Sequence, residues 1–163
     1  MEDDAPRRGV SAERRAAQVC AALNAAGARY LVVGGVAGVL HGQIRATRSL
    51  GLLIERTPEN VARVLEGLAQ VGYAFARAWP AEEILGKPVT VLGSDSAVEL
   101  FTVAWRLTYE DAVVRSVTVD AEGVAIPLVG LDDLIATRRT GRPQDTVDLG
   151  ALEEIRRMRE EGR

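Results

Sequence analysis

The most constraining stretch of this sequence lies between residues 30 and 55. Tyr30-Leu31-Val32-Val33 is a short, wholly apolar run, the pattern of a buried strand. It stops at Gly34-Gly35. Two residues without Cβ atoms let a strand turn tightly into a following element. Residues 36–41 then begin a short helix, and Gly42 to Arg48 form a polar loop. Ser49 to Glu55 is a second strand, centred on Leu52-Leu53-Ile54. Two buried strands joined through a short helix need further elements on their faces and edges.

The rest of the chain supplies them. Residues 1–10 are charged, carry Pro6 and Gly9, and read as a flexible arm. Residues 11–163 read as one domain. Ser11 caps a helix over about residues 12–26, with Ala16, Val19, Cys20, Leu23 and Ala26 at helical spacing. Thr57-Pro58-Glu59 is a helix start, a Thr cap followed by Pro in the first turn. That helix runs to about Val71 and turns Val61, Val64, Leu65 and Leu68 inward. Tyr73–Arg77 is expected as a short strand, and residues 78–87 fit no single pattern. Two strands follow at Pro88–Leu92 and Ala97–Val103, split by a turn at Gly93-Ser94-Asp95. Tyr109–Val114 reads as a short helix, and Val117–Val119 with Val124–Leu128 as a hairpin. Leu131–Arg139 and Pro143–Arg159 complete the chain as helices. The predicted class is α+β, a mixed sheet with helices packed mainly on one side.

Composition removes several classes of function. No apolar run approaches the roughly 20 residues that span a bilayer. Residues 1–8 lack the apolar segment of a secretory signal, so a cytoplasmic address is expected. Cys20 is the only cysteine, which excludes an internal disulfide and a cysteine-based zinc site. The net charge of −3 and the scattered basic residues argue against general nucleic-acid binding, but allow a small anionic ligand.

A few residues stand out chemically. His41 is the only histidine. It reads either as a general base at a pocket mouth or as a packed residue ending a short helix. Glu99 is an acid on an otherwise apolar strand, so it needs a partner: a proton to transfer or an arginine to pair with. Arg45, Thr47 and Arg48 in the polar loop could hold an anion or simply be solvated. Arg138 and Arg142 could reach the same pocket, or pair with Asp145 or Asp148. Trp79 and Trp105 read as core or rim packing, with either able to line a ligand pocket.

Taken in order, Val33-Gly34-Gly35, His41-Gly42, Arg45-Ala46-Thr47 and Leu52-Leu53-Ile54 resemble the opening of the DNA-polymerase-β-type nucleotidyltransferase superfamily, in its small bacterial AbiEii-like branch. The late segment Leu134-Ile135-Ala136, Gly141-Arg142-Pro143, Asp145 and Asp148 resembles the same branch, with Arg138 where a Lys is expected and Gln144 where a second often sits. The resemblance covers roughly residues 12–155 and implies the nucleotidyltransferase fold. It implies that the backbone N–H groups of Gly34 and Gly35 approach ligand phosphates. It also implies an acid-x-acid pair at the start of the second strand. Ser49 and Gly51 stand there instead, while Glu99 corresponds to the third acid.

The missing acids bear directly on activity. Nucleotidyl transfer uses two Mg²⁺ ions about 3.5–4 Å apart, which stabilise the attacking and leaving oxygens. A unit charge pair at 4 Å is worth about 4 kcal/mol at an effective dielectric near 20. Losing two such pairs weakens metal binding by orders of magnitude, so no metal ligands are assigned and no cofactor is expected. The leading expectation is a degenerate nucleotidyltransferase-fold protein, a ligand-binding or regulatory module for a small molecule or nucleotide. Its candidate ligand contacts are Gly34, Gly35, Arg45, Thr47, Arg48, Ser49, Arg138 and Arg142. One alternative is an active transferase moving an NMP from an NTP to a small molecule, RNA or protein, which would need Mg²⁺. Another is an enzyme of a different class, with His41 and Glu99 as acid and base.

Overall fold

A computed structural model describes residues 12–162. The expected N-terminal arm and the Ser11 cap lie outside the described residues. Helix α1 (Ala12–Ala25) leads into strand β1 (Tyr30–Val33), helix α2 (Gly34–His41) and strand β2 (Leu50–Ile54). Helix α3 (Pro58–Ala69), a 3₁₀ turn at Ala74–Ala78 and helix α4 (Ala81–Leu85) precede strands β3 (Val89–Leu92) and β4 (Val98–Phe101). Helix α5 (Tyr109–Val113), strands β5 (Val117–Ala121) and β6 (Val124–Leu128), and helices α6 (Leu131–Thr137) and α7 (Pro143–Glu161) follow.

The strands form one mixed six-stranded sheet in the order β3-β4-β2-β1-β6-β5, flanked by helices. The fold is therefore α+β. Strand β1 pairs antiparallel with β2 and parallel with β6, while β2 pairs parallel with β4. The outer strands β3 and β5 pair antiparallel with their neighbours. Every residue of β1 and β2 is buried, as the two apolar runs require, because both sheet faces are covered there. Strand β3 instead alternates exposed and buried residues, the mark of an edge strand with one face open.

Side chains sort by face. The Tyr30 hydroxyl donates to Asn24 Oδ1 at 2.8 Å, so the face holding Tyr30, Val32 and Leu52 looks toward α1. The opposite face carries Val33, Gly51, Glu99 and Phe101 in register across β1, β2 and β4. No helix among the described residues is long and apolar enough to cross a membrane.

Local sequence signals set most boundaries. The Thr57 side chain accepts a hydrogen bond from Asn60 N, with Pro58 in the first turn of α3. The β5–β6 hairpin turns on Glu122 and Gly123, both at positive φ, which is the type I′ geometry. The strand expected at Tyr73–Arg77 is corrected: residues 74–78 form a 3₁₀ turn. Tyr73 and Ala76 are the buried positions, three residues apart, which is the period of a 3₁₀ turn and not of a strand. Residues 81–85, which fitted no pattern, are helical.

Asn60 fastens the two central strands at one end. It is almost fully buried; its Oδ1 accepts from Arg29 N at 2.7 Å, and its Nδ2 donates to Arg29 O and Glu55 O at 2.9 Å. One amide thus satisfies three backbone groups flanking β1 and β2. Asn60→Ala removes all three bonds, leaving Arg29 O only its 3.2 Å bond from Glu55 N, with an expected loss of about 2 kcal/mol. Thr57→Ala removes only one cap and should cost about 1 kcal/mol. Urea unfolding of both variants measures the difference.

Candidate functional site

The turn at Gly34-Gly35 opens onto a cleft of about 200 Å³. One wall is Val33 and Gly34; the apolar part is Phe101, Ala104 and Trp105. The polar part comes from the end of α6 and the start of α7: Thr137, Arg138, Thr140, Arg142 and Asp145. Of the candidate ligand contacts, Gly34, Arg138 and Arg142 line this cleft. Gly34 sits at φ +74°, where a residue with a Cβ would be strained.

Gly35 has a different task. A Cβ there would lie 2.8 Å from Thr47 Oγ1 and 3.4 Å from the Arg45 guanidinium carbon. The polar loop therefore crosses directly over the glycine turn. Thr47 and Arg45 occupy that approach, and Gly35 is small because the chain itself passes there.

The loop reverses the usual pattern of burial. Gln43 is buried and Arg45 and Thr47 are half-buried, while Ile44, Ala46 and Arg48 are exposed. The cause is Asp148 on α7, which is 1% exposed. Gln43 Nε2 donates to one carboxylate oxygen at 2.8 Å, and Arg45 Nη1 to the other at 2.6 Å. Gln144 Nε2 donates at 3.1 Å, and Arg138 Nε lies 3.7 Å away. Asp145 gathers a second set: Thr140 Oγ1 at 2.5 Å, Arg138 at 3.4 Å and Arg142 at 3.5 Å. Arg45 is thus an internal ion-pair partner and not a solvated loop residue. Arg138 and Arg142 make the pairs with Asp145 and Asp148 that their sequence positions allow. The Arg142 side chain stays 76% exposed, so most of its surface faces the solvent. Arg48 is exposed and offers its carbonyl to Arg15 at 2.7 Å.

The positions matching the acid pair lie on the face opposite α1. Gly51 pairs in register with Glu99 on one side and Val33 on the other. A Cβ on Gly51 would sit 3.2 Å from Val33 Cγ2, 3.2 Å from Val33 O and 3.4 Å from Phe101 Cε2. A side chain at the place of the second acid would therefore crowd Val33 and Phe101, which would have to give by a few tenths of an ångström. Ser49 is half-buried, and its carbonyl accepts from Thr47 Oγ1 at 3.3 Å. Glu99 is half-buried and makes no hydrogen bond or ion pair among the described residues. Its in-register neighbour on the outer side is Val91, which is 51% exposed. The donor set at 49, 51 and 99 is one hydroxyl, no side chain and one carboxylate, which does not fit a pair of divalent ions. Among the described residues, no three of His, Cys, Asp or Glu converge as a metal-ligating group.

His41 lies at the far end of α2 from the glycine turn and lines a different surface cleft, with Gly130, Asp132 and Arg159. Its Nε2 is 2.7 Å from Val129 O, which accepts, and its Nδ1 accepts from Arg159 at 3.2 Å. Burial pushes its pKa below the ordinary value; the Val129 hydrogen bond opposes this and the Arg159 charge adds to it. The ring is held neutral with both nitrogens engaged.

Sequence reasoning missed Gln43, Thr140 and Phe101. Gln43 binds an acid 105 residues away and Phe101 matters through a glycine on the next strand, so no local pattern marks them; Thr140 lies five residues before the Asp145 it bonds, a spacing legible in the sequence. Neither protein-family models nor curated proteins give a match to this sequence.

Two outcomes are expected. Asp148→Ala should lose about 3–5 kcal/mol, since it strands the arginines and amides around a buried acid. Arg142→Ala, at an exposed position, should change stability by less than about 0.5 kcal/mol. Chemical denaturation compares them. His41 binds its proton more weakly folded than unfolded. Its contribution is therefore present at neutral pH and is lost as pH falls below about 6.5. The drop in stability between pH 7.5 and pH 5 should be smaller in His41→Gln.

Proposed function

We propose that this chain is a nucleotidyltransferase-fold protein, its helices packed mainly on one face of the sheet, that does not carry out two-metal transfer. It works as a ligand-binding or regulatory module. The observation that carries the reading is the donor set at 49, 51 and 99: one hydroxyl, no side chain and one carboxylate. Where a second metal-binding acid would stand, a side chain would also crowd Val33 and Phe101. Glu99 alone supplies a carboxylate on that face, and one carboxylate does not neutralise two divalent cations.

The ligand site in this reading is the cleft beside Gly34. Arg142 offers an exposed guanidinium there, and Arg138 lines the same cleft while pairing with Asp145 and Asp148. Planar guanidinium donors suit phosphate or carboxylate groups. A small anion, free or as part of a nucleotide, is the matching ligand class. An active transferase would need acids at 49 and 51. An acid–base pair of His41 with Glu99 would need the two side chains to converge, and His41 faces another cleft.

Calorimetry with ATP, GTP, CTP and UTP, each with and without Mg²⁺, tests the reading. Binding that does not depend on Mg²⁺, with no pyrophosphate released, is expected. Tight binding that requires Mg²⁺ and releases pyrophosphate would overturn it. The double variant Ser49→Asp, Gly51→Asp gives a second test. Three carboxylates would then share one face, each raising the others' pKa. Without Mg²⁺ the variant should be less stable than wild type at pH 7, from crowding at 51 and from repulsion, and only the repulsive part should be recovered as pH falls toward 4 and the acids protonate. Mg²⁺ should raise its Tm and leave that of the wild type unchanged.

A further inference from the structure

The segment after β4 contains a strained aromatic residue. Ala104 and Leu107 exchange both backbone hydrogen bonds at 2.9 Å, so Trp105 and Arg106 form a two-residue turn. Trp105 has φ +63°, and Arg106 is not among the residues at positive φ. That sign pattern belongs to a type II′ turn, whose first central position is ordinarily glycine. A bulky side chain there is sterically unfavourable. Packing does not account for its presence, because the Trp105 side chain is 54% exposed. The fold would gain by placing glycine at this position.

The position of the indole gives it another use. Trp105 lines the cleft of about 200 Å³ together with Gly34, Arg138 and Arg142. It also borders a neighbouring hollow of about 140 Å³, lined mainly by apolar surface that includes Leu107 and Ala136. A ligand in the first cleft meets guanidinium groups on one wall and an exposed aromatic surface on another. Arginines suit the anionic part of such a ligand, and an indole suits a flat ring by stacking.

We infer that Trp105 is the specificity-determining residue of this cleft, an aromatic platform that selects ligands in which a planar ring is joined to an anionic group. The inference rests on the proposed reading of the cleft as an anion site. It adds a discrimination that the arginines alone do not provide, since they hold a bare polyphosphate as well as one carrying a base.

The test uses the full chain without Mg²⁺ and two probes, ATP and inorganic tripolyphosphate, with affinities measured by calorimetry. Wild type is expected to bind ATP about tenfold or more tightly than tripolyphosphate, the size of effect that ring stacking gives. Trp105→Gly should erase that difference while raising Tm, because glycine relieves the turn. Trp105→Phe should keep most of the preference. A purely structural tryptophan predicts the reverse for Trp105→Gly, a lower Tm with the preference intact, and that result overturns the inference. Equal binding of the two probes to wild type overturns the aromatic selection while leaving the anion site standing. Failure of both probes to bind overturns the anion site and the inference together.

Discussion

A carboxylate buried to 1% exposure cannot stand alone, and Asp148 organises much of this molecule by that requirement. Its partners come from three places: the loop after α2, the end of α6 and the first turns of α7. Drawing Gln43 and Arg45 inward fixes the path of the loop. The fixed path carries Thr47 across Gly35 and delivers the chain to the start of β2. From there the pairing of β2 with β4 sets Gly51 beside Glu99. The same network brings Arg138 and Arg142 to the cleft beside Gly34.

The balance of charge around that cleft explains why it suits an anion despite the chain's net negative charge. Asp145 and Asp148 are consumed by internal donors, leaving little of either acid for the solvent. Arg142 remains largely outside the network. Local potential is set by which charges are already paired, and net charge says little about it.

Elements whose causes are local were readable in the sequence. The Thr57 cap, the two central apolar runs, the Gly34 turn and the β5–β6 hairpin each depend on residues within a few positions of one another. The α+β class followed from their order. What escaped was set at long range. The loop 42–48 looks solvated because its residues are polar, yet its polar side chains turn inward toward an acid more than 100 residues away. Tyr73–Arg77 looks strand-like, yet its buried residues Tyr73 and Ala76 lie three apart, the period of a 3₁₀ turn. The candidate site was legible in part: Gly34, Arg138 and Arg142 meet at one cleft, whereas His41 belongs to another. The indole of Trp105 was visible as a residue, but its turn geometry was not, because no glycine marks the turn.

The sheet is continuous in strand order but uneven in its bonding. Strands β1 and β6 share a single register pair, Val32 with Leu128, extended by one bond from Val129 N to Val32 O. Pro127 has no N–H to offer either neighbour. Side chains help to hold the seam: Asn24 reaches Ala125 O, and His41 reaches Val129 O. Mechanically, the molecule is a four-stranded plate and a two-stranded plate riveted together by such contacts. The cleft straddles the joint, with Val33 and Phe101 on the larger plate and Arg138 to Asp145 carried on the chain that leaves the smaller one. The contacts that join the plates lie outside the cleft whose walls they carry.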